Sequence, residues 1–105
     1  MILKKNAIQS ISEKLKIPFF EYQQDWEIES SDPTRLDEFL SFYKNTTLSG
    51  DEKRVLMALI IASYDDLLQE VKDENQYLYN SIKCLLNSNK ILFKDILEYW
   101  TTYKN

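Results

Sequence analysis

The chain has 105 residues, with 13 Lys and Arg against 17 Asp and Glu, a net charge of −4, no His, one Cys, one Gly and two Pro. That length makes one domain with one modest core. The composition excludes an internal disulfide, a Cys–His zinc site, an imidazole base and a glycine-rich phosphate loop.

So few breakers also argue against an all-β domain and for helices joined by short connections. Met1 to Asn6 lacks the apolar run of a signal peptide, and the longest apolar run, Val55 to Ala62, is far too short to span a bilayer. A lone Cys84 fits a reducing, cytoplasmic setting.

In chain order, Leu3, Ala7, Ile8, Ile11 and Leu15 recur at i, i+4, i+8. This predicts an amphipathic first helix that ends near Lys16, because Pro18 disfavours helical geometry at Ile17. Residues 17–32 are less regular. Phe19, Phe20, Tyr22, Trp26 and Ile28 are set among acids, and the alternation Trp26-Glu27-Ile28-Glu29 suggests a strand that would have no partner. The stretch is read as an extended acidic aromatic loop. Loops of that length are often functional.

Asp32-Pro33 is a helix start, with Asp32 as N-cap and Pro33 at the first position. Leu36, Phe39, Leu40 and Tyr43 form the inward stripe, and Asn45-Thr46-Thr47 ends the helix. Ser49-Gly50-Asp51-Glu52 is a capping box that opens the central helix, with Asp51 and Glu52 opposing the helix dipole. Val55 to Ala62 has no polar face and needs neighbours on nearly every side. Further on, Leu67, Leu68 and Val71 point inward, while Asp65, Asp66, Gln69 and Glu70 point outward.

Asp73 to Gln76 is a polar turn with Asp73 as a cap. Leu78, Ile82, Leu85 and Leu86 mark the next helix, with Cys84 beside the stripe as a small buried hydrophobe. Ser88 or Asn89 caps the last helix, where Leu92, Ile96, Leu97, Trp100 and Tyr103 recur, with Phe93 and Tyr99 flanking. Tyr99 is expected to be the most exposed aromatic there. The fold class is therefore all-α: one domain over 1–105, about five helices around a long central helix (residues ~50–72), and one long loop (~17–32).

No catalytic, cofactor-binding or metal-binding residue is assigned. Asp65, Asp66, Glu70 and Asp73 are the densest carboxylates, a donor type that suits a hard cation. No EF-hand-like loop accompanies them, and acidic helix faces are commonly just solvated. Asp25-Trp26-Glu27-Ile28-Glu29 has the composition of a recognition loop, an aromatic anchor ringed by charge. Against that, Phe19 and Phe20 are read as plugs of the helical core, and for Trp26 plug and anchor stand level. The residues assigned to partner contact are Asp25, Trp26, Glu27, Glu29, Tyr64, Asp65, Asp66 and Glu70. Residues 21–38 hold seven acids against Arg35 alone. This disfavours direct nucleic-acid binding and favours a basic partner.

Three stretches carry a resemblance: Gln24 to Asp32 with Arg35 to Tyr43, Asp51-Glu52-Lys53 with Leu56 to Asp66, and Ile96 to Trp100. They are similar to the small immunity proteins of bacterial contact-dependent inhibition and other polymorphic toxin systems, over roughly residues 19–101. The resemblance implies a cytoplasmic antidote, not an enzyme, that binds and blocks the toxin domain of a sibling cell. Many such toxins are basic nucleases. It implies no cofactor and no membrane contact, and a monomer or weak homodimer is expected. That family type has no fixed ligand motif, so no site residue is carried over. The alternative is a non-catalytic helical adaptor or assembly subunit with an exposed apolar groove.

Overall fold

The computed structural model describes residues 3–21, 23, 25–70 and 76–104. The helices are α1 (Lys5–Leu15), α2 (Trp26–Glu29), α3 (Leu36–Asn45), α4 (Gly50–Glu70), α5 (Gln76–Ser88) and α6 (Lys94–Lys104), and no strand occurs among the described residues. The all-α class and the long central helix are those expected. The end of that helix near Lys72, the inward face at Val71 and the cap at Asp73 fall outside the described residues, as does Tyr22.

The start of α4 follows from its capping box. The Glu52 amide donates to Ser49 Oγ at 3.2 Å, and the Ser49 amide donates to Glu52 Oε1 at 3.0 Å. Two orphan donors are thereby satisfied by two side chains. The helix spans 21 residues, about 32 Å at 1.5 Å per residue, close to the 35 Å longest extent of the molecule. Val55, Leu56, Met57, Ala58, Leu59 and Ile60 are all fully inaccessible. Six consecutive buried residues cover every direction around a helix, so neighbours surround it. Of the expected apolar run only Ile61 is partly exposed.

α1, α2, α3 and the 3₁₀ turn Pro33–Arg35 each pack on α4. From α1 come Ala7, Ile11 and Leu15, and from α3 come Leu36, Phe39 and Leu40. Leu78, Ile82, Phe93, Ile96 and Trp100 bring α5 and α6 into the same core. Each large aliphatic or aromatic side chain buried this way stabilises the fold by about 1.5–3 kcal/mol. Leu97, expected on the inward stripe of α6, is 37% exposed, and Phe93, expected at its flank, is fully buried.

α1 ends in a Schellman arrangement. Lys16 takes the left-handed conformation (φ 57°), its amide donates to Glu13 O, and the Ile17 amide donates to Ser12 O. Asp32 caps the next start, accepting from the Thr34 amide at 3.0 Å. The turn it opens is 3₁₀, with α3 following from Leu36.

Three further expectations change. The 17–32 loop is not extended throughout, because Trp26–Glu29 forms one helical turn. Turning puts Trp26 (1% exposed) and Glu27 (5%) inside, and the turn as a whole packs against α4. Phe20, expected in the core, is 64% exposed. Cys84 is exposed as well, since it lies just off the Leu78–Ile82–Leu85 face.

Candidate functional site

Two acidic segments far apart in sequence meet where α2 packs on α4. Ser31 Oγ hydrogen-bonds to the Asp66 carboxylate and to Ile28 O, and the Asp32 amide donates to Ser63 Oγ at 3.0 Å. These bonds pin the chain leaving α2 to the C-terminal half of α4. Asp25 and Glu29 are exposed on α2, Glu70 is exposed on α4, and Asp65 is half-buried, accepting from Gln69 Nε2 at 2.9 Å.

The eight residues assigned to partner contact thus separate into groups. Asp25, Glu29, Asp65 and Glu70 face outward or partly so. Asp66 and Tyr64 are half-buried; Asp66 holds Ser31, and Tyr64 packs against the core. Trp26 and Glu27 are interior, which decides for Trp26 in favour of the core plug over the anchor. Among the described aromatics of this stretch, Phe20 is the exposed one. Period-two alternation pointed to neither placement, because a one-turn helix is too short to show a helical period.

Glu27 is an unusual interior residue. Its side chain has no ion pair or side-chain hydrogen bond among the described residues. Burial pushes its carboxyl above the ordinary 4.5. A hydrogen bond from its own backbone and, more weakly, the N-terminal ammonium oppose the shift, and the like charges of Asp25 and Glu29 add to it. Trp26 Nε1 is also buried without a hydrogen-bond partner among the described residues. Glu27 and Trp26 line a cleft of about 240 Å³ that also touches α1, the Phe19–Glu21 stretch and Tyr99 of α6. Phe20 also lines a second cleft, of about 410 Å³, with Ile17, Glu29 and Arg35.

Two further polar nodes brace the helices around this region, and sequence reasoning found only half of the first. Glu52 closes the capping box and also accepts from Lys14 Nζ (2.8 Å) and Ser10 Oγ (2.7 Å) of α1. The Lys14, Ser49 and Ser10 donors hold its carboxyl down to about 2. Arg54 reaches from α4 to the start of α6, donating to Leu92 O at 2.8 Å and to Asp95 Oδ2 at 2.6 Å. The capping box is a local signal, but the partners from α1 and α6 lie 38 or more residues away and carry none.

Among the described residues, no group of three or more His, Cys, Asp or Glu could hold a metal ion, and no helix is long and apolar enough to cross a membrane. No family model, curated protein or solved structure matches this chain.

Proposed function

We propose that this chain is an immunity protein, which binds a cognate antibacterial toxin domain in the cytoplasm and neutralises it by direct protein–protein inhibition. The toxin domain is proposed to be a basic nuclease. The observation that carries this reading is the meeting of α2 and α4. It sets Asp25 and Glu29 beside the helix that bears Asp65 and Glu70, on elements anchored to the core through Trp26 and Asp66. Acid-rich surface on a rigid scaffold suits a partner whose own surface is shaped to hold phosphate, and it speeds encounter with that partner.

The test is co-expression with the product of the adjacent upstream gene. That product should be toxic alone, tolerated together with this chain, and recovered with it as a stable complex. A neighbour that is not a toxin domain, or a toxin that this chain neither binds nor neutralises, would overturn the reading.

A helical adaptor or assembly subunit is the second reading. It is favoured by Tyr77 and Ile91, which are 68% and 93% exposed. It predicts self-association or a constitutive partner, with affinity little changed by salt, because apolar burial is barely screened.

A further inference from the structure

We propose that the cleft between α1, the Phe19–Glu21 stretch, α2 and α6 binds an organic cation, an alkylammonium or alkylguanidinium group, between Glu27 and a ring of aromatic side chains. The inference goes beyond the toxin reading and stands whether or not that reading holds.

Glu27 is a buried residue, and burying a carboxylate is costly unless a cation or strong donors meet it. Its exposure is 5%, and no side chain among the described residues bonds to it. Its nearest charged neighbours in sequence, Asp25 and Glu29, carry the same sign, and they act on it more strongly than the N-terminal ammonium does. The cation on the cleft wall is Lys5, and its Nζ is engaged by Glu21 at 3.1 Å on the exposed rim. An exposed pair of that kind is weak and can open.

The cleft surrounds this acid with aromatic surface. Phe19, Phe20, Trp26 and Tyr99 line it together with the aliphatic Leu3 and Ile8. Aromatic faces attract cations, most of all where water is excluded. The combination selects among ligands. An anion is repelled by Glu21, Asp25 and Glu27, and a neutral ligand brings Glu27 no counter-charge. A strongly hydrated metal ion gains nothing from aromatic and aliphatic walls. An organic cation satisfies both, with its charge on the carboxylate and its alkyl stem on the rings. At about 240 Å³ the cleft has room for such a group, many times what a single water needs.

The test is an NMR titration of the ¹⁵N-labelled protein, following the Trp26 indole and the Glu27 and Phe20 amides. The probes are n-propylguanidinium, n-butylammonium and the neutral isostere n-propylurea. The cations should shift these signals saturably, with Kd around a millimolar, as befits a fragment-sized ligand. Propylurea should bind at least tenfold more weakly. Glu27→Gln keeps the shape of the side chain and should lower cation affinity by at least tenfold. Should that variant fail to fold, Asp25→Asn, at an exposed position, carries the test and should weaken binding severalfold.

Equal binding of propylurea, no saturable shift with either cation, or cation affinity unchanged in the variants would overturn the proposal. Comparing free propylguanidinium with a capped Gly-Arg-Gly peptide distinguishes the sources. Tighter peptide binding assigns the cleft to an arginine side chain of a protein partner, and tighter binding of the free cation assigns it to a small-molecule amine.

Discussion

At the scale of single residues, Glu27 and Glu52 show how two glutamates of one chain are driven in opposite directions. Glu27 is withdrawn from water with no side-chain cation paired to it among the described residues, so its proton is held more tightly. Glu52 receives an ammonium, a hydroxyl and a backbone amide, so its proton is released at about 2. The Glu52 shift has a consequence for stability. Its folded pKa lies below the ordinary 4.5, so the stability it contributes is full above about pH 4.5 and is lost as pH falls towards about 2. Glu52→Gln should cost about 1–2 kcal/mol at neutral pH, since hydrogen bonds to a charged group are being replaced by neutral ones. Urea unfolding of the two proteins across that pH window should converge at its acid end. A difference that stays constant from neutral to acid pH would show that Glu52 acts only through shape.

At the scale of elements, the helices differ in how they are held. α1, α2 and α3 lie directly along α4, and α1 is also tied to it through Glu52. α6 is held by Phe93, Ile96 and Trp100 and by the fork of Arg54 on Asp95 and Leu92. The Tyr43 and Phe93 rings, 6.4 Å between centroids, join α3 to the turn before α6. Arg54→Ala should therefore act locally, at a cost of about 1–3 kcal/mol. Amide hydrogen exchange should quicken in α6 and in the 89–93 turn, while α1 and α3 keep their protection. Arg54→Lys should recover only part of the loss, because an ammonium cannot place two parallel donors on a carboxylate. Uniform acceleration across all helices would mean that α6 and the rest open together.

At the scale of the whole molecule, charge and core are arranged on different parts of the chain. The inaccessible centre of α4 sets stability, and the acids of α2 and of the C-terminal half of α4 shape the surface field. Under the proposed function, reversal of Asp25, Glu29, Asp65 and Glu70 to Lys should slow association with the toxin domain at least tenfold at low salt. The gap to the parent protein should narrow as salt rises. Far-ultraviolet circular dichroism should report an unchanged fold. Asp66 and Glu27 are left out of this set because one holds Ser31 and the other is interior. Association rates that match the parent at every salt concentration would remove these four residues from the interface.

The sequence by itself determined the helical class, the central helix, the capping box at Ser49 and the cap at Asp32. Each of these is local: a period of 3.6 residues, or a side chain reaching a backbone group within one turn. It also located the acidic stretches, since charge is a matter of composition. Only the tertiary structure decided which aromatic of the 17–32 stretch is inside. Trp26 is buried and Phe20 exposed because one helical turn at 26–29 rotates its first two residues inward. Tertiary structure likewise decided that Glu27 lies withdrawn from water in an aromatic cleft, and that Glu52 and Arg54 tie α4 to helices 38 or more residues away. Those outcomes depend on which surfaces come together once the helices pack, and contacts at that separation leave no periodic mark in the chain.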